Sequence, residues 1–282
     1  MSVNPDNVKN LPHILRLLDD ESPIVRTAIT RQLTEFGVGL EPLLDRLPAP
    51  PTQHQRHLIR NLLAPLRRDA LKQAWTQTLT INSDFDLIEA AYQALADFFN
   101  PPSDAPPLPQ LLDQLAQQYR PLPDQSQPAS LAHFIFKTAG FRGAYADYYR
   151  PENSDLVHVI HHRRGIPLSL ATLLMLVGRR LGITMDGANF PGHYLARFRI
   201  RRDLYFIDGF DGGKILTEAD LIAMHGEAIR PTLRAKFNGR VILDRILRNL
   251  NQAYRKLDQL EDADLINDLI SLTRSPNHGV SP

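Results

Sequence analysis

Gly165-Ile166-Pro167-Leu168-Ser169-Leu170-Ala171, read on through TLLMLVGRRLGI to Ile183, is the stretch that decides the fold. Pro167 suits the first turn of a helix, where the N–H it lacks has no intrahelical partner to find. The residues after it are apolar almost all round the helical circle, so the pattern predicts a helix buried at the centre of a domain. Arg179, Arg180 and Gly182 then supply the cations and the glycine that end helices. Residues 168–178 form the longest uncharged, mostly apolar run, eleven residues, far short of the roughly 20 that a membrane span requires. The helix is therefore read as core, and no membrane partner is expected.

Moving outward toward the C-terminus, Asn189-Phe190-Pro191-Gly192 reads as a turn that opens two strands. In residues 193–200, Tyr194, Ala196, Phe198 and Ile200 share one face, and His193, Leu195, Arg197 and Arg199 share the other. Arg201-Arg202-Asp203 is a hairpin turn, and Leu204-Tyr205-Phe206-Ile207-Asp208 is the return strand. A tight turn there sets His193 opposite or diagonal to positions 208–211, and such neighbours come within about 5–8 Å. A hydrogen bond between His193 and Asp208 is thus expected. From 218 to 273 the chain returns to helix, with Leu243, Ile246, Leu247, Leu250 and Tyr254 at helical spacing.

Toward the N-terminus the first hundred residues read as helical. Segments 11–19 and 23–36 form a pair with Leu15, Leu17, Leu18, Ile24, Ala28 and Leu33 as apolar positions, and Ser22 and Pro23 as N-cap and first helical residue. That pair resembles a HEAT-type helical repeat unit. Further helices are expected near 40–47, between 52 and 79, and near 84–99. The proline-rich run 101–107 marks a boundary, followed by a short helix near 109–119 and a polar connector at 121–128. The expected organisation is a helical region at 1–100, a connector at 101–128, a mixed core at 129–220 and helices at 221–282. The fold class is α+β.

Composition narrows the function. The chain carries 32 Lys and Arg against 31 Asp and Glu, a net charge of +1, so nothing marks it as a nucleic-acid binder. The opening MSVNPDNVKN lacks the basic and apolar regions of a secretory signal, and the chain is read as cytoplasmic. Cysteine is absent altogether. That excludes disulfides, cysteine-ligated zinc and any thiolate nucleophile. No cofactor is implied.

Several stretches together resemble the transglutaminase-like superfamily, and within it an uncharacterised bacterial SirB-type family. They are Gly140-Phe141-Arg142-Gly143, Tyr148-Tyr149-Arg150-Pro151-Glu152-Asn153-Ser154, Arg164-Gly165-Ile166-Pro167-Leu168-Ser169, Phe190-Pro191-Gly192-His193-Tyr194 and Phe206-Ile207-Asp208-Gly209-Phe210. The resemblance implies a papain-like core in which a cysteine opening the central helix is the nucleophile, a histidine its base, and an aspartate the group that orients the histidine. Counting back from the Leu-Gly-Ile that closes the helix, the cysteine position falls on Pro167. His193 and Asp208 match the pattern, but the group they would serve is missing.

The resemblance thus points to a catalytically inactive protein whose degenerate cleft, lined by Asn153, Arg164, His193 and Asp208, binds a protein or peptide. The alternative is a hydrolase of amide or ester bonds that uses Ser169, or a water activated by His193 with Asp208. Ser169 lies two residues past the lost position, a rotation of about 200° around the helix. His158, His161 and His162 at i, i+3 and i+4 offer a third reading, a metal site, set against an ordinary solvated face beside Arg163 and Arg164. Either arginine is also placed to hold a carboxylate or to cap nearby carbonyls.

Overall fold

The computed structural model describes residues 5–36, 40–100, 106–123, 126–190 and 192–275. Most of the proline-rich run, at 101–105, and Pro191 of the turn lie outside them. The chain packs as two compact units, Met1–Ala74 with Asp97–Ala105, and Trp75–Ala96 with Pro106–Pro282. Most of the helix at 84–99 thus belongs to the second unit, whereas the sequence pattern grouped it with the first hundred residues. No helix among the described residues is long and apolar enough to cross a membrane.

The first unit holds α1 (Pro5–Arg16), α2 (Pro23–Glu35), α3 (Leu40–Asp45) and most of α4 (Gln53–Thr78), a single helix with Pro65 inside it. Its core gathers Leu11, Ile14, Leu15, Leu18, Ile29, Leu33, Phe36, Leu40, Leu44 and Ile59. Two details differ from the sequence reading. The buried residues of α2 are Ile29 and Leu33, with Phe36 buried just past its end, while Ile24 is 83% exposed and Ala28 also faces solvent. Leu17 lies past the end of α1 and is 47% exposed. Ser22 sits at the N-cap of α2, yet its side chain caps nothing; its N–H donates to Asp20 Oδ1 at 2.8 Å.

The second unit is the mixed α and β core. It runs α5 (Asp84–Phe99), α6 (Leu108–Gln118), α7 (Gln127–His133), β1 (Arg142–Gly143), α8 (Leu156–His162), β2 (Arg164–Gly165) and α9 (Pro167–Arg180). Four strands follow, β3 (Asp186–Phe190), β4 (His193–Ile200), β5 (Asp203–Asp208) and β6 (Lys214–Thr217). Then come α10 (Glu218–His225), α11 (Arg230–Arg234), α12 (Gly239–Lys256) and α13 (Leu260–Arg274). The strands form one antiparallel meander in order β3-β4-β5-β6, and β1 pairs with β2 in parallel. Asn189 and Phe190, read as turn, belong to strand β3: Asn189 pairs with Tyr194 and Phe190 with His193. Two hydrophilic-looking positions in DGANF hid that strand, which β4 supplies with a partner.

Helix α9 is the centre of this unit. Every residue from Pro167 to Gly178 is buried. Its N-terminus is closed locally, because Ser169 Oγ accepts the Ile166 N–H and donates to the Ile166 carbonyl, each at 3.0 Å. Its C-terminus ends on Gly182 with φ +69°, and Arg180 reaches Glu89 at 2.7 Å on α5 and Asp113 at 2.5 Å on α6. The sheet lies between helices. Leu195 packs with Leu204, Phe206, Leu221 and Leu233 toward α10 and α11, so the alternate residues Tyr194, Ala196 and Phe198, all buried, turn to α9. Arg197 is 5% exposed and grips Asp186 through two hydrogen bonds at 2.7 and 2.9 Å.

Deleting apolar volume from α9 should therefore be costly. Leu173→Ala, at a position with 0% exposure, is expected to lower unfolding free energy by about 2–5 kcal/mol. Met224→Ala, at 61% exposure, should stay within about 0.5 kcal/mol of the parent. Urea denaturation followed by circular dichroism checks both.

Candidate functional site

The hairpin register brings the two sequence-selected residues together. Ala196 pairs with Ile207, so Asp208 falls opposite Leu195 and diagonal to His193, on the same face. The rings and carboxylate meet: His193 Nε2 lies 2.6 Å from Asp208 Oδ2. The other oxygen, Oδ1, accepts the backbone N–H groups of Phe210 and Asp211, both at 3.0 Å. An ionised carboxylate only accepts, so Nε2 carries the proton in this pair and Nδ1 is left for another group. Burial by itself would raise the Asp208 pKa. The His193 hydrogen bond, the Asp211 N–H, the His193 charge and the Phe210 N–H outweigh it and hold the carboxyl below the usual range.

Aromatic side chains wall this pair. The Phe210 ring stands edge-on to His193 at 6.3 Å, and Tyr145 lies 4.4 Å from the same ring while donating its hydroxyl to the Phe210 carbonyl at 2.9 Å. Tyr148 meets Phe210 edge-on at 5.9 Å. Phe210 needs a flat seat: a Cβ on Gly143 would meet its ring at 2.8 Å. Gly143 pairs in turn with Gly165, two residues ahead of Pro167. Phe210 thus links the His193 end of the sheet to the strand that leads into α9.

With this geometry in view, comparison with known proteins is decisive at the family level. Residues 107–249, just over half of the chain, match the family model described as Transglutaminase-like superfamily. The chain belongs to that superfamily. The matched stretch extends on both sides of 129–220. Among curated relatives, a UPF0162 protein of Xylella fastidiosa is 37% identical over 144 residues, covering 48% of this chain and 51% of the relative. A UPF0162 protein of Pseudomonas aeruginosa is 28% identical over 195 residues, covering 65% and 72%. The mouse protein named F-box only protein 21 is 28% identical over 157 residues, 52% of this chain and 25% of that protein. The chain spans about half the length of the Xylella relatives it matches. No solved structure matches it.

The remaining sequence-selected residues lie in different places. Pro167 is the buried first residue of α9 and offers no polar side-chain atom. Ser169 is 0% exposed, and its hydroxyl is engaged with Ile166 on both its donor and acceptor sides. Asn153 is 4% exposed. It donates through Nδ2 to the Asp147 carbonyl at 2.5 Å and to that of Tyr148 at 3.3 Å, and so holds the loop that carries the aromatic wall. Arg164 is exposed on β2. Its neighbour Arg163, at φ 56°, donates to the Ala139 carbonyl and covers the Phe141 ring at 5.5 Å, one of the two uses that the sequence suggested for these arginines.

His158 and His162 stack at 3.9 Å, as neutral imidazoles can, and burial with the neighbouring His162 lowers the His158 pKa. Among the described residues no group of three or more His, Asp or Glu is gathered to hold a metal ion. Sequence reading missed Arg245. It looked like a polar-face residue of α12, yet it donates to Asn189 Oδ1 and to the Phe190 carbonyl at 2.9 Å, and stands 5.7 Å over the Tyr194 ring. No local signal separates it from the exposed arginines of the same helix.

The Asp208 carboxyl is held below its unfolded value, so the native state binds fewer protons in acid than the unfolded chain. Its stabilisation is present above the unfolded carboxyl pKa of about 3.9 and is lost as pH falls through that value toward the lower native one. Asp208→Asn should cost about 1–3 kcal/mol at neutral pH, and its stability should converge with the parent's below pH about 4. Thermal melts across pH test this; a gap that persists unchanged in acid would contradict it.

Proposed function

We propose that the chain is a catalytically inactive member of its superfamily that acts as an interaction or regulatory module, holding a protein or peptide segment in the cleft at His193 and Asp208. One observation carries this reading: the hydrogen-bonded pair is retained at 2.6 Å, while Pro167 stands where the resemblance places the thiol, in a chain with no cysteine. An imidazole oriented by a carboxylate but facing no nucleophile can still present Nδ1 to a backbone amide. The aromatic wall of Phe210, Tyr145 and Tyr148 offers the large, rigid surface that recognition sites favour.

The second reading, amide or ester hydrolysis, divides on the same geometry. The Ser169 route is disfavoured because that hydroxyl is buried and already doubly bonded to Ile166. The water route draws on the His193 side chain, 27% exposed and oriented by Asp208.

Peptide selection on the full-length chain tests both readings. Selected peptides should bind the parent and lose about tenfold or more in His193→Ala and Phe210→Ala, and mass spectrometry should recover them uncleaved. Peptides indifferent to both substitutions would sink the binding reading. Cleavage that disappears in His193→Ala would establish hydrolysis instead.

A further inference from the structure

An open cavity of about 620 Å³ lies against α12, α13 and the turn between β3 and β4. Its charged lining is one-sided: Arg240, Arg245, Arg248 and Arg274 against the single carboxylate of Asp244. That carboxylate is already clasped by Arg248 Nε and by Arg274, each at 2.6 Å, so the cavity holds a surplus of cations in a chain whose net charge is only +1.

The cation at its inner edge is the informative one. Arg245 donates to a side-chain amide and a backbone carbonyl, and among the described residues no carboxylate forms an ion pair with it. Burial pulls its pKa down, and its guanidinium stands over the Tyr194 ring at 5.7 Å. A largely buried guanidinium without a counter-ion is costly, and an anionic ligand relieves that cost.

The arrangement also indicates what kind of anion fits. Residues 240, 244 and 248 form one row of α12 and 241, 245 and 249 the adjacent row, since residues four apart stack on a helix face. From 240 to 248 the rise is about 12 Å, too long for the arginines to converge on one small anion. It matches three or four residues of extended chain at about 3.3–3.6 Å each. Acidic side chains at alternate positions of such a segment would recur about every 7 Å, near the rise of about 7.5 Å from 240 to 245. Asn189 and Gly192 line the cavity, and Gly192 immediately precedes His193. The basic strip thus ends at the residue that precedes His193.

We infer that the cavity binds an extended acidic peptide segment, its carboxylates held by Arg240, Arg245 and Arg248, with the chain continuing toward His193. This deepens the reading of the cleft as a peptide site and rests on it.

The test is fluorescence anisotropy on the full-length protein with a labelled Glu-Gly-Glu-Gly-Glu peptide and its Gln-Gly-Gln-Gly-Gln counterpart. The acidic peptide should bind about tenfold or more tightly than the neutral one, and rising salt should weaken it. Arg245→Met, which keeps the aliphatic packing over Tyr194, should cost about tenfold. Arg248→Gln, at a side chain 63% exposed, should weaken binding severalfold without touching the fold, and Arg255→Gln on the same helix should not. Equal binding of the two peptides, or indifference to both cavity substitutions, would overturn the inference. So would tighter binding of inorganic phosphate or of an oligodeoxynucleotide. His193→Ala separates the two levels. Selected peptides that need His193 while the acidic probe ignores Arg245 sink the cavity alone. An Arg245-dependent probe beside His193-indifferent peptides sinks the reading of the pair and keeps an acidic site.

Discussion

A helix without a solvent face imposes the rest of this architecture. From Pro167 through Gly178 every residue of α9 is buried, and a stripe of that kind is stable only when other elements cover it on all sides. The sheet covers it through Tyr194, Ala196 and Phe198, and α5 and α6 lock its end through Arg180. The N-terminus is buried, so Pro167 removes one N–H that would need a partner and Ser169 ties the chain back to Ile166. The same two residues fix the chemistry of the region. The side chain at the helix start is inert, and the Ser169 hydroxyl is occupied with holding the helix closed.

Covering the helix forces polar groups inward elsewhere, and each brings its partners. Arg197 enters the layer between the sheet and α11, where Asp186 meets its fork and the Leu233 and Ala235 carbonyls accept from the remaining nitrogen at 2.6 and 3.0 Å. Asp208 is 8% exposed and fully engaged by one imidazole and two backbone donors. Such groups specify geometry because removing any one partner leaves a buried charge unsatisfied. The His193–Asp208 pair fits that structural logic whether or not a ligand approaches Nδ1.

Some of this was legible in the chain and some was not. The boundaries of α9 at 167 and 180, of β4 at 193 and 200, and the meeting of His193 with Asp208 follow from patterns local to one helix and one hairpin. Strand β3 escaped because its hydrogen-bonding partner, not its own residues, makes DGANF a strand. Asn153, expected in the cleft, spends its amide on the Asp147 and Tyr148 carbonyls, a contact between neighbouring loops that residue spacing does not reveal.

The sequence by itself determined that this chain has no thiol chemistry, that a buried helix organises an α+β core, and that one histidine and one aspartate share a hairpin. Those conclusions depend only on residue identity and on spacing within an element. The tertiary structure decided that Ser169 is consumed by the helix start, that Phe210 bridges β1 and the His193 ring, and that Arg245 meets Asn189 from 56 residues away. The physical reason is that periodicity reports which side of an element is apolar, whereas the convergence of side chains from distant segments is set by how those elements pack.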